Sequence, residues 1–178
     1  TKRKWNIETS NMKTKERKKG INGKKKGSIF ELKLAKQIAE KLNIEYGKYI
    51  RRTPGSGSLL TRSDLWVDEK YRHNFPWFLE AKKRATATLD KCNSDNWEVY
   101  NWYKESKDKI QHDPSYPIDS PALLVFAKNN VGPFVMIGSA DYMKYVAHNF
   151  TLHPVDLFNM YVPKYDVHIL LWEDFLLL

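Results

Sequence analysis

Apolar residues recur at helical spacing through Phe30, Leu34, Ala35, Ile38, Ala39 and Leu42, which predicts an amphipathic helix opening near Ser28. Ser28 and Glu31 stand at the S-x-x-E spacing of a capping box, and Asn43 supplies a stop. A short β-like run over residues 44–52 leads into the turn-rich Thr53-Pro54-Gly55-Ser56-Gly57-Ser58. Residues 64–67 and 77–83 read as two strands, and the polar stretch between them suits a hairpin connection. Residues 94–111 form a helical pattern rich in aromatics (Trp97, Tyr100, Trp102, Tyr103), and a three-proline loop follows it. Residues 122–127 are a buried-type strand, residues 134–137 its neighbour after a turn, and residues 139–148 a short helix capped by Ser139. Residues 167–172 make a last apolar strand with a short helical or coiled end.

This order of elements is an α/β class, with a mixed central β-sheet flanked by helices. No internal repeat and no second domain is visible. The expected division is a basic flexible arm over residues 1–26 and a single domain over 27–178. A chain of 178 residues with 42% hydrophobic residues can bury a real core.

Charge sharpens that division. Residues 1–26 carry a net +9, and the remainder sums to zero. The neutral body is itself uneven, with +5 on residues 27–91 and −5 on residues 92–178. A cationic arm fits a polyanionic partner, most often nucleic acid, although a solvated tail has the same composition. No stretch is long and apolar enough to span a bilayer, so no membrane partner is expected. The basic N-terminus has no apolar segment after it, which argues against a secretory signal. Cys92 is the lone cysteine, which excludes an internal disulfide and fits a reducing, cytoplasmic compartment.

The candidate chemistry lies in the positive half. Glu80 and Lys82 sit at i and i+2 of a strand and so share one face, while Leu79 and Ala81 point into apolar packing. A hairpin would bring Asp64 close to Glu80. Two carboxylates at one point repel unless a cation lies between them. Hard oxygen ligands without Cys or His favour Mg²⁺, or Mn²⁺ in its place, over Zn²⁺. A lysine beside such an ion can orient water or stabilise a phosphorane-like charge, which suits metal-assisted hydrolysis of a phosphodiester. Glu31 has two readings: the capping-box glutamate, or a carboxylate bordering the buried face at the site.

Asp64-Leu65, then Phe78-Leu79-Glu80-Ala81-Lys82, with a preceding helix carrying Glu31, resembles the PD-(D/E)xK nuclease superfamily. The segment Arg51-Arg52-Thr53-Pro54-Gly55-Ser56-Gly57-Ser58 before Asp64 looks like that of archaeal and phage Holliday junction resolvases. The resemblance covers residues 27–137 and implies a restriction-endonuclease-like core. It implies metal ligands Asp64, Glu80 and the backbone carbonyl of Ala81, with Glu31 binding the ion directly or through water. It implies Lys82 as the catalytic lysine, and Ser56 or Ser58 with Arg51 or Arg52 on the scissile strand. The cationic arm and the segment after residue 150 depart from the archaeal resolvases.

The expected activity is a Mg²⁺-dependent endonuclease that leaves 5′-phosphate and 3′-hydroxyl ends on branched DNA. The two-fold symmetry of a four-way junction implies a homodimer, in a phage or prokaryotic host cell. Lys24, Lys25 and Lys26, with the rest of the arm, would bind phosphates without reading sequence. Two other functions fit the same residues: a restriction-like, nicking or repair nuclease on duplex or flap DNA, and a non-catalytic nucleic-acid-binding protein. The aromatics of residues 97–103 are expected in packing rather than in base stacking.

Overall fold

The computed structural model describes residues 23–53, 62–128, 131–147 and 157–178. Residues 1–22 of the expected arm and the loop serines Ser56 and Ser58 lie outside the described residues, as does the side chain of Lys24.

The first helix, α1, spans Gly23–Lys41. It begins five residues before Ser28, inside the stretch assigned to the arm. Ser28 and Glu31 are therefore in the body of the helix, and the capping-box reading is wrong for both. The stop is as expected: Asn43 takes φ 51°, and the Ile44 amide returns to the Ala39 carbonyl at 2.9 Å. Phe30, Leu34, Ala35, Ile38 and Ala39 are buried.

Two short strands follow, β1 (Ile50–Arg52) and β2 (Leu65–Val67), paired antiparallel with Arg51 opposite Trp66. A main sheet of five strands carries the rest: β3 (Phe78–Lys83), β4 (Ala122–Ala127), β5 (Phe134–Gly138), β6 (Asn159–Val162) and β7 (Val167–Leu171). Its order is β3-β4-β5-β7-β6. The β3–β4 pair is parallel and the others are antiparallel, so the sheet is mixed. The helix α2 (Glu98–Ile110) provides the β3–β4 crossover. The helices α3 (Ser139–Tyr145) and α4 (Trp172–Leu177) complete the chain.

The expected hairpin between residues 64–67 and 77–83 does not form. β2 pairs with β1, and residues 68–76 hold a 3-10 turn, Glu69–Tyr71, capped by the Asp68 carboxylate. Strand β3 is buried on both faces, and its ladder goes to the wholly apolar β4, the arrangement typical of a parallel pair covered by helices. Just before β2, the Asp64 amide donates to the Leu79 carbonyl of β3 at 3.0 Å.

Alternation along the strands divides the interior into two layers. Leu79, Leu123, Val125, Val135 and Ile137 face α1 and α4. Phe78, Leu124, Phe126, Met136 and Ile169 face α2, where Trp97, Trp102 and Tyr103 are buried against them. The aromatics of α2 are therefore packing, as expected. Tyr100 stacks on Tyr165 at 4.1 Å. α3 begins at Ser139 with Gly138 in the cap position and no side-chain cap, so Ser139 is not its N-cap.

Residues 157–178 add to the core. Leu170, Trp172 and Phe175 join the layer under α1, and the Trp172 indole donates to Gln37 of α1 at 3.0 Å. Strand β6, which has no expected counterpart, pairs as the edge beside β7.

Candidate active site

Strand β3 has one edge on β4 and one open edge. Phe78 donates its amide to the Pro121 carbonyl on the β4 side, while Leu79 turns its carbonyl to the other edge, where Asp64 and Ser63 take it. Successive residues of a strand alternate edges, and amide and carbonyl of one residue point the same way. Ala81 therefore presents both groups to the open edge, and its amide donates to Asp64 Oδ2 at 2.8 Å. Asp64 is fixed from behind as well. The Ser63 hydroxyl donates to Leu79 at 3.0 Å, and the Ser63 amide donates to the buried Asp113 carboxylate at 3.1 Å.

Glu80 and Lys82 project together on the α2 side, as their spacing requires. Glu80 is 2% exposed. Its strand neighbours across the ladder are Leu124 and, beside Lys82, Phe126, so the carboxylate stands among apolar side chains. Lys82 Nζ donates to Glu80 Oε1. Lys109, from the last turn of α2, donates to both Glu80 oxygens at 2.8 Å. Burial pulls the Lys82 ammonium down, but the Glu80 charge and hydrogen bond, with Asp64 behind them, outweigh it and hold the group above its ordinary value.

Asp64 has no such ammonium partner. Burial raises its carboxyl, the Glu80 charge raises it further, and Glu31 adds to both. The Ala81 amide and Lys82 oppose these effects, and the group is pushed up to about 7. A buried acid beside a second acid is a position that a cation would stabilise.

Glu31 reaches the site from α1, but not freely. Arg52 of β1 binds its Oε2 through Nε. Arg51, on the other face of the β1–β2 ribbon, lies over the Trp66 ring at 4.5 Å. Of the two arginines, Arg52 is thus at the site and Arg51 is turned away from it. Lys25 and Lys26 are exposed on the first turn of α1.

Among the described residues, no group of three or more His, Cys, Asp and Glu side chains is gathered closely enough to hold a metal ion. Asp64 and Glu80 come together, and Glu31 stays with Arg52. Two carboxylates and the Ala81 carbonyl nevertheless fit a hard divalent ion, because Mg²⁺ commonly takes one or two carboxylates and fills its other positions with water and phosphate.

Two contributors were invisible in the sequence. Lys109 stands 29 residues from Glu80 and looks like one more lysine on a polar helical face. Asp113 begins a loop, where its bond to the Ser115 amide at 2.9 Å gives an ordinary Asx turn. The Asp113-x-Ser115 spacing could signal the turn, but not its hold on Ser63.

The model of the family described as "phage putative PDDEXK endonuclease" matches residues 22–177. No curated protein and no solved structure matches the chain.

Proposed function

The chain belongs to the phage PDDEXK endonuclease family, and from that premise we propose that it is a Mg²⁺-dependent endonuclease of branched DNA, acting as a homodimer. The observation that supports this reading is the pairing of two buried acids, Asp64 and Glu80, where only Glu80 has ammonium partners. Asp64, Glu80 and the Ala81 carbonyl would hold the ion. When bound, it would polarise the scissile phosphate and lower the pKa of an attacking water.

The side chains of this chain do the rest. Asp64 is fixed to the Ala81 amide and cannot drift from the strand edge. Lys82 carries an ammonium, 24% exposed, to the mouth of the site, where it orients water and offsets charge growing on the phosphorus. Glu31, kept in place by Arg52, acts through water. Hydrolysis adds the oxygen of water to phosphorus and breaks the bond to the 3′-oxygen, which leaves with a proton. Lys25, Lys26 and the arm, with Lys24, Ser56 or Ser58, and Arg52 rather than the outward-turned Arg51, bind the DNA backbone.

A panel of labelled four-way junction, flap, nicked and linear duplex DNA tests the reading with Mg²⁺, using wild type, Asp64→Asn and Glu80→Gln. Junction-selective cutting lost in both variants is expected. Equal cutting of linear duplex would remove the junction specificity and leave a duplex nuclease. Undiminished cutting by the variants would remove the metal site. No cutting of any DNA, with binding retained, would favour a non-catalytic binding protein. Sedimentation equilibrium of the free protein checks the dimer.

A further inference from the structure

Glu80 has an unusual distribution of partners. Its Oε1 accepts from both Lys82 and Lys109, and its Oε2 accepts from Lys109 alone. Lys82 stands two residues away on the same strand, and its backbone is fixed by the β3–β4 ladder. Lys109 stands on a different element, one residue from the end of α2, where a cation also complements the exposed carbonyls of the helix terminus. Its side chain is 19% exposed, so it has a path to solvent, and a flexible four-carbon stem with which to follow it.

A cation that binds Oε2 must compete with the Lys109 ammonium already on it. Charge counting gives the same result. With Asp64 ionised, two carboxylates and two ammonium groups make the cation-free site neutral. A divalent ion leaves it doubly positive, and crowding three cations around two acids drives one of them off. The doubly negative phosphorane-like transition state, with its charge on the oxygens, restores neutrality only if both ammonium groups are still near it.

We propose that Lys109 holds Glu80 until a divalent cation displaces it, and that it then turns to the scissile phosphate as a second positive charge beside Lys82. Lys109 is thus both the internal competitor of the ion and a further catalytic residue. This rests on the endonuclease reading above.

The test uses the full chain in two measurements. Calorimetric titration with Mn²⁺, in the absence of DNA, compares wild type, Lys109→Met and Lys109→Arg. Single-turnover cleavage at saturating Mn²⁺ compares the same three. Lys109→Met is expected to bind Mn²⁺ about ten-fold more tightly, because its competitor is gone, yet to cut about 100-fold more slowly. Lys109→Arg should restore most of both. Tighter binding with slower chemistry is a combination that a merely structural lysine does not produce.

Mn²⁺ affinity that is unchanged or weaker in Lys109→Met overturns the competition. Tighter binding with undiminished cleavage overturns the contact with phosphate. Should Lys109→Met lose its circular dichroism, Lys109→Gln, uncharged but still able to donate to Glu80, carries both readouts. A wild-type protein that binds no Mn²⁺ through Asp64 and Glu80 defeats the endonuclease reading itself. A wild type that binds and cuts, matched by Lys109→Met, defeats only the role of Lys109.

Discussion

Asp64 Oδ2 accepts the Ala81 amide at 2.8 Å, and with the Asp64 amide and Ser63 hydroxyl bonds to the Leu79 carbonyl it ties the β1–β2 ribbon to the open edge of β3. The acid is thereby held beside Glu80 by backbone rather than by an opposite charge. Burial, and then the Glu80 charge, raise it to about 7, and the Ala81 amide and Lys82 oppose that rise without cancelling it.

The first prediction concerns pH. Burial, and then the Glu80 charge, lift the Asp64 carboxyl from 3.8 to about 7 in the folded protein. Between those values the folded state keeps a proton that the unfolded chain has lost. Stability of the cation-free protein should therefore fall as pH rises from about 4 to about 7, by a few kcal/mol at most, and level off above. Asp64→Asn should lack this component, since its amide oxygen can still accept from Ala81. Urea midpoints of both proteins from pH 4 to 8 check it, and Mg²⁺ should restore stability at pH 8 only in wild type.

Glu80→Gln separates stability from chemistry. A buried ion pair that loses one partner costs about 3–5 kcal/mol when the other charge is trapped. Here the remaining ammonium groups are 24% and 19% exposed and can turn to water. The expected loss is only about 1–2 kcal/mol, while single-turnover cleavage falls by roughly 100-fold or more. A denaturation curve and a cleavage assay on the same preparation compare the two.

The Arg52–Glu31 pair should matter little for folding. Arg52 is 36% exposed, and water screens the pair, so a double-mutant cycle with Arg52→Ala and Glu31→Ala should give a coupling below about 1 kcal/mol. Cleavage by Glu31→Gln should drop by a larger factor than that coupling represents. Equal, small effects on both would assign Glu31 to the surface.

Gly138→Ala tests the packing of α2 on the sheet. A Cβ there would lie 2.7 Å from the Tyr103 hydroxyl, which is buried without a well-formed hydrogen bond. Overpacking of this kind costs about 1–3 kcal/mol. Tyr103→Phe removes the clashing oxygen and should recover most of the loss, as thermal melts of the single and double variants would record.

The arm prediction follows from where α1 begins. Deleting residues 1–22 spares the helix and removes most of the N-terminal charge. DNA affinity should weaken, and the dependence of log K on log salt should become shallower by roughly 0.9 per lost phosphate contact. Cleavage at saturating protein should persist. Its complete loss would show that the arm does more than hold phosphate.

Much of this protein follows from local sequence. The period of Phe30 to Leu42 gives α1, the apolar run Ala122–Ala127 gives β4, and the i, i+2 rule puts Glu80 and Lys82 on one side of β3. Such features depend only on the geometry of one element. The S-x-x-E spacing at Ser28 failed because capping depends on where a helix begins, and α1 begins at Gly23. The hairpin failed because the ladder edge of β3 is taken by the apolar β4, which lies beyond α2 in the chain. Lys109 and Asp113 reach the site through contacts that span 29 and 50 residues. No local pattern encodes such contacts, because they exist only once α2 is laid across the sheet. The sequence by itself determined which acids and which lysine could do the chemistry. The tertiary structure decided which of them meet: Asp64 with Glu80 across a strand edge, Glu31 with Arg52, and Lys109 on Glu80.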